Sequence, residues 1–226
     1  VRRQEGLRTL YRKVSGTEKG AQEEWITADE FNRKMDDLLY SVPADLFLPC
    51  GGRPETLDRS NWTRILDEHG KPNVRVIVEG ANSFISPEAR LEIQKQGVVI
   101  LRDASANKCG VISSSYEILA NLLMTQAEFL EHKEAYVRDV LSILEKRAEE
   151  EAELIFERHR REEAGRSQPY TEISAAISSE INALYSRLFD FFQERPELAD
   201  QPLFRKVMLN HLPAMIRKEQ RFKRRL

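Results

Sequence analysis

The sequence predicts an α/β fold: a partial, mostly parallel sheet in the first half, followed by an all-helical C-terminal region. Three observations carry that prediction. Short apolar runs at Leu46, Phe47 and Leu48, at Val74, Val76, Ile77 and Val78, and in "VVILRD" alternate with stretches bearing helix signals. Each run ends in a loop of small residues or Asn. After Gly110 strand signals stop, and apolar residues recur every three or four positions.

The first forty residues are polar. "SGTEKGAQ" reads as an exposed loop. "WITADEFNRKMDDLLYSVP" reads as a helix, with Thr27 and Glu30 in capping-box spacing and Phe31, Met35, Leu38 and Leu39 as its stripe. In "ADLFLPCGG" a continuous apolar run ends at Pro49 and a Gly pair, which suits a buried parallel strand feeding a loop. "RSNWTRILDEHGKP" gives one or two helical turns with Trp62, Ile65 and Leu66 inward, stopped by Gly70 and Pro72. "NVRVIVEGAN" is the next strand. "SPEARLEIQKQG" is a punctuated helix, with Ser86 at the N-cap, Pro87 in the first turn and Gly97 past the end. With "VVILRD" the order is strand, helix, strand, helix, strand, the pattern of a right-handed parallel unit.

Beyond Gly110, "VISSSYEILANLLM" predicts a helix. Thr125 and Glu128 repeat the capping-box spacing and open a long charged helix to about Gly165, with Phe129, Val137, Val140, Leu144, Ala148, Ala152 and Ile155 as its stripe. "GRSQPY" is a linker. Ile173, Ile177, Ile181, Leu184, Leu188 and Phe191 form an amphipathic stripe, and a last helix runs from Pro202 with an interruption at Pro213. The tail "IRKEQRFKRRL" is basic.

Composition narrows the function classes. The chain has 226 residues, 41% hydrophobic and 32% charged, with a net charge of −2. That suits a globular protein of one or two domains and gives no global attraction to nucleic acid or anionic lipid. No apolar run approaches the roughly 20 residues needed to cross a bilayer. Two cysteines, Cys50 and Cys109, and four scattered histidines make neither a disulfide framework nor a metal site, so a reducing compartment and no metal are expected. The first residues, Val-Arg-Arg-Gln, are neither an initiator Met nor a secretory signal, and the chain is expected to be a piece of something longer.

Ligands of open parallel sheets sit beyond the carboxyl ends of the strands. Three loops occupy that position: residues 49–52, 80–82 and 107–110. Small residues let backbone approach a ligand, and Asn offers both a donor and an acceptor, which suits ribose hydroxyls or a carboxamide. Ser113, Ser114 and Ser115 lie near the expected start of a helix, where hydroxyls and unbonded amides favour a carboxylate. The spacing thus suggests a nucleotide and a small anion meeting between Asn107 and Ser115. Plainer roles stay open: a turn for Gly80 and Asn82, a helix cap for Asn107, an N-terminal cap for the serines, an inert packing role for Cys109.

"FLPCGGRPE", "IVEGAN" and "GVVILRDASANKCGVISSSYEILA", in this order and spacing, resemble the C-terminal half of a glutamate dehydrogenase of the large NAD-specific class. The match spans residues 44 to about 124, and the later helices resemble that class more loosely. The resemblance implies a partial Rossmann-like domain and oxidative deamination of L-glutamate to 2-oxoglutarate and ammonia, with NAD as cofactor. It places Pro49, Cys50 and Gly51 on the adenosine side through backbone. Gly80, Ala81 and Asn82 fall on the ribose side, Asn107 at the nicotinamide end, and Val111 and Ser114 at the substrate. The helix from about Val111 would be the pivot between cofactor and substrate domains, which divides the chain into residues 1–110, the end of a dinucleotide-binding domain, and residues 111–226, a helical region. The resemblance also implies a homo-oligomer, in the cytoplasm or mitochondria, without a nucleic-acid or membrane partner.

Two departures stand out. The family usually has two glycines after the residue following the second Asn, and Cys109 replaces the first; its side chain must either point away or crowd the cofactor. Lys108 before it is at home in the large class. There is also no glycine-rich phosphate loop, since Gly16 and Gly20 do not make one, and nothing matches the family's catalytic Lys and Asp. All three are expected upstream, and this stretch alone is expected to carry no catalytic residue. A non-catalytic helical scaffold or regulatory module is the alternative, and binding of nucleic acid through the basic tail a third reading.

Overall fold

A computed structural model describes residues 4–5, 8–14, 21–161 and 168–225. The chain opens with a small antiparallel sheet of β1 (Gln4–Glu5), β2 (Arg8–Val14) and β3 (Ala21–Thr27), in that order. Trp25 and Ile26, expected at the start of a helix, are therefore in a strand. Polar pairs such as Arg12 opposite Glu23 interrupt apolar ones such as Leu10 opposite Trp25, so neither strand shows a regular apolar alternation to read. Residues 15–20 of the expected loop, Gly16 and Gly20 among them, lie outside the described residues, and Ala21 and Gln22 belong to β3. Thr27 ends the strand and caps α1 (Ala28–Ser41), its hydroxyl accepting from the Glu30 amide at 3.2 Å. Met35 and Leu38 of the predicted stripe are exposed; the side chain of Leu39 lies outside the described residues.

The second sheet is parallel, in the order β4 (Ala44–Phe47), β5 (Val74–Val78), β6 (Val99–Leu101), with Leu46 opposite Val76 and Val76 opposite Val99. β5 is central, and Ile77 on it is fully buried. β4 departs from expectation. It is parallel but forms an edge, and Leu46 and Leu48 stay half exposed because nothing among the described residues covers that face. The first crossover carries only a 3₁₀ turn, Trp62–Ile65, with Ile65 buried and Trp62 and Leu66 packed on the same core. The second carries α2 (Pro87–Lys95). Ser86 Oγ accepts from the Ala89 amide at 3.3 Å, Pro87 begins the helix, and Gly97 follows it at φ +86°, a conformation that favours glycine. Leu57, Ile65, Ile77, Ile85, Ile93 and Ile100 form the core of this half.

After β6 come a short helix, α3 (Asp103–Ala106), and α4 (Lys108–Leu123). The expected loop at residues 108–110 is instead the first turn of α4. Thr125 and Glu128 form a reciprocal capping box: the Thr125 amide donates to Glu128 Oε2 at 2.8 Å, and the Glu128 amide to Thr125 Oγ1 at 3.3 Å. They open α5 (Gln126–Arg161); its expected continuation to Gly165 and the linker residues 165–167 lie outside the described residues. Then follow α6 (Tyr170–Gln193), α7 (Pro202–Asn210), α8 (Ala214–Lys218) and α9 (Gln220–Lys223).

The helices return onto the sheet. Ile155 of α5 and Ile173 and Ile177 of α6 bury against Leu101 of β6, and Thr171 Oγ1 donates to Gln94 Oε1 at 2.7 Å. The stripe of α6 is thus divided: its first two residues are buried, while Ile181, Leu184, Leu188 and Phe191 are exposed. The basic tail is part of a second helical core. Phe222 is fully buried with Tyr136, Met215 and Ile216, and Arg225 makes a two-pronged pair with Glu128 at 2.8 Å per prong. Arg221 also faces α5, 3.4 Å from Glu131, so both arginines have acidic partners within the chain.

The Arg225 guanidinium, with help from the Thr125 amide, holds the Glu128 carboxyl down to about 2, against an ordinary value of 4.5. A depressed carboxyl contributes fully above its ordinary value and loses that contribution as pH falls through the folded one. Docking of α8 and α9 should therefore persist below pH 4.5 and fail near pH 2. In Arg225→Ala the loss should move up toward pH 4.5. Amide exchange of residues 214–225 as a function of pH measures both.

Candidate functional site

The site is built at the carboxyl ends of β4, β5 and β6. β5 runs into Glu79, whose amide still donates to the Leu101 carbonyl of β6 at 2.9 Å. The Glu79 side chain is fully buried. Arg90 of α2 meets it with two parallel bonds, Nε to Oε2 and Nη2 to Oε1, each 3.1 Å. The Ile85 amide donates to Glu79 Oε1 at 3.1 Å, and Arg90 Nη2 donates to the Ile85 carbonyl at 3.0 Å. One carboxylate thereby ties the start of the loop at residues 79–86 to its end and to the helix that follows. A buried charge is tolerated only with partners of this kind.

The middle of that loop is pinned separately. Ser83 takes a left-handed conformation, φ +52°, and its amide donates to Asp103 Oδ2 at 2.9 Å. The Ala104 amide takes the other Asp103 oxygen at 2.8 Å. Partial burial pushes the Asp103 carboxyl up, but these two amides and the Arg102 and Arg90 cations outweigh it, so the net displacement is below the ordinary value. On the β4 side, the Ala81 amide donates to the Pro49 carbonyl at 2.7 Å. Gly80 suits that close approach: a Cβ there would lie 3.1 Å from both Pro49 O and Cys50 Sγ, and one of them would have to give.

These supports present Asn82 at the rim. Asn107, between α3 and α4, stands opposite. It occupies the N-cap position of α4 but makes no capping bond with its side chain. Instead Asn107 Nδ2 donates to Asn82 Oδ1 and lies 3.5 Å from the Gly80 carbonyl oxygen. The Asn107 side chain therefore points across to Asn82 and does not cap α4. An amide pair of this type uses one donor and one acceptor. Whichever way the two are turned, it leaves one carbonyl oxygen and one NH₂ group unused by the pair. That donor set fits ribose hydroxyls or a carboxamide, so the residues present suit a nucleotide.

Of the residues singled out from sequence, Pro49, Cys50, Gly80, Ala81, Asn82 and Asn107 come together here. Gly51 is exposed, with open space where a Cβ would stand. Val111 and Ser114 lie farther along α4, four and seven residues from Asn107 and so on the same face of the helix. The three serines are not at a helix start. α4 begins at Lys108, so their amides are already inside the helical ladder. The Ser113 and Ser114 hydroxyls bond back to the Gly110 carbonyl at 2.8 and 3.3 Å. Cys109 is directed at α5, with Sγ 3.6 Å from the Leu144 carbonyl oxygen, which disposes of crowding at the rim. Glu79, Arg90 and Asp103 went unassigned in the sequence. A lone carboxylate between an apolar strand and a Gly was the available signal for Glu79.

Strand ends that gather small residues and paired amides define an α/β protein of the kind that takes its ligand at the carboxyl edge of the sheet. The model of the Glutamate/Leucine/Phenylalanine/Valine dehydrogenase family matches residues 4–165, and the chain belongs to that family. It is 38% identical over 159 residues to a probable NAD-specific glutamate dehydrogenase of Schizosaccharomyces pombe, covering 66% of this chain and 14% of that protein. It is 37% identical over 184 residues to glutamate dehydrogenase 2 of Dictyostelium discoideum, and 35% identical over 185 residues to the NAD-specific glutamate dehydrogenase of Neurospora crassa. Each of these two matches covers 76% of this chain and 17% of the relative. The chain therefore spans about one sixth or less of the length of these relatives.

Removing one partner of the buried pair should be severe. Glu79→Ala is expected to cost roughly 3–5 kcal/mol in urea unfolding, because the Arg90 cation is left buried and unpaired. The double replacement Glu79→Leu with Arg90→Met should recover most of that loss. A cost under about 1 kcal/mol for Glu79→Ala would show that the pair does not anchor the loop.

Proposed function

We propose that this chain is part of an NAD-dependent glutamate dehydrogenase. In this reading it supplies the far wall of the cofactor crevice and part of the substrate pocket. The complete enzyme carries out oxidative deamination of L-glutamate to 2-oxoglutarate and ammonia. The observation that carries this reading is the contact between the Asn82 and Asn107 side chains, which joins two strand ends into one hydrogen-bonding rim. The names of the similar proteins supply the cofactor and the substrate class.

NAD, when bound, supplies the hydride acceptor. The chain's own residues bind and orient. The carbonyl and NH₂ left unused by the amide pair hold the ribose and carboxamide edge. Pro49, Cys50 and Gly51 line the adenosine side with backbone, where Gly51 leaves room for close approach. Val111 and Ser114 continue the wall along α4 toward the substrate, Val111 by shape and Ser114 by turning its hydroxyl from the Gly110 carbonyl to donate to a glutamate carboxylate. Holding the two reactants in contact is where such a wall contributes to the rate. The division between the cofactor-binding part, residues 1–110, and the helical region, residues 111–226, falls inside α4. A helix shared by both parts is suited to act as their pivot.

The second reading, a helical scaffold, draws on the exposed half of the α6 stripe, where Ile181, Leu184, Leu188 and Phe191 face outward. In the complete enzyme the two readings are compatible: this face meets other parts of the polypeptide or another subunit of a homo-oligomer.

Two substitutions in the full-length enzyme separate the roles. Asn82→Ala should weaken NAD binding by roughly 0.5–1.5 kcal/mol with little change in KM for glutamate. Ser114→Ala should raise KM for glutamate by an amount equivalent to roughly 1.5–3 kcal/mol, the range for a hydrogen bond to a charged group. Titration of NAD by fluorescence and steady-state kinetics measure them, and unchanged values would remove each residue from the site.

A further inference from the structure

We infer that Glu151 of α5 is a positioning residue for Asn107, acting on the rim from behind it. The inference rests on the reading of Asn107 as a cofactor contact. Asn107 is the single residue between α3 and α4. Ser105, two residues before it, donates from Oγ to Glu151 Oε1 at 2.9 Å, and Lys108, the residue after it, donates from Nζ to the same oxygen at 2.7 Å. The Ser105 hydroxyl is also 2.5 Å from Ser174 Oγ on α6, and Ser174 is buried. Two turns earlier on α5, the Leu144 carbonyl receives Cys109 Sγ at 3.6 Å. The chain on both sides of the junction, at Ser105 and at Lys108, is therefore fastened to one carboxylate, and the first turn of α4 to the same helix.

The consequence for the rim follows from where Asn107 sits. Its backbone is held by the Asp103 carbonyl on one side and the Gly110 amide on the other. A rotation of α4 relative to α3 has to occur at this one residue, and it would swing the carboxamide off Asn82. Glu151 opposes that rotation by holding Ser105 and Lys108 to a common point. It also commits the Lys108 ammonium to α5. The carboxylate is shielded, with a side chain 14% exposed, so bulk solvent competes weakly for these bonds.

The test uses the full-length enzyme with Glu151→Gln, which keeps shape and removes charge, alone and combined with Asn107→Ala. Glu151→Gln is expected to raise KM for NAD about tenfold while KM for glutamate stays within about twofold. In the Asn107→Ala background it should add nothing, since the residue it positions is gone. Ser105→Ala, a milder change, should raise KM for NAD by a smaller factor and guards against misfolding of the charge variant. An unchanged KM for NAD in both variants, or effects of Glu151→Gln and Asn107→Ala that simply multiply, overturns the positioning role. If Asn107→Ala itself leaves NAD binding unaltered, the crevice reading fails first. If it weakens binding and Glu151→Gln does not, only the positioning role fails.

Discussion

The candidate site depends on one buried charge pair. Glu79 stands where the central strand leaves the sheet, and its carboxylate is removed from water altogether. Such a group needs a full set of partners, and Arg90 with the Ile85 amide supplies them. Arg90 can do so only because α2 begins where it does, capped by Ser86 and started by Pro87. Helix start, loop path and strand end therefore require one another. Asp103 adds a second tie at Ser83, from the element that also leads to Asn107. The two asparagines meet because their loops are fastened to the same framework.

Much of this was legible in the sequence. The strand run at residues 98–101 was continuous and apolar, and the run at 74–78 was interrupted only by Arg75, whose side chain stays in solvent. Ser86, Pro87 and Gly97 marked α2; the capping box at Thr125 forms in both directions, and at Thr27 only the N-cap half forms, through the Glu30 amide. The rim was legible for a topological reason: residues just past parallel strands lie at one edge of the sheet, so Asn82 and Asn107 had to be near neighbours.

The illegible parts share a physical cause, because each depends on partners distant in sequence. The β2–β3 hairpin is polar on most positions, and cross-strand pairing leaves no period to detect. The start of α4 is not visible locally because Asn107, Lys108 and Cys109 carry weak local preferences; the partners of that turn, Glu151 and the Leu144 carbonyl, lie more than thirty residues on. The α6 stripe showed an apolar face but not its partner, and the first half is covered by β6 while the second is not. The tail reads only as basic, yet Phe222 and Arg225 close a core with residues from α4 and α5.

α5 has 36 residues and contains neither Gly nor Pro. At 1.5 Å per residue it is a rod of about 54 Å. Its near end carries the tail through Glu128; its far half grips the junction beside Asn107 through Glu151. A rod without Gly or Pro has no site for a sharp kink and bends only gently, so a tilt at one end carries along its length. The tail cluster and the anchor behind the rim share no atoms, yet both hang on this one lever.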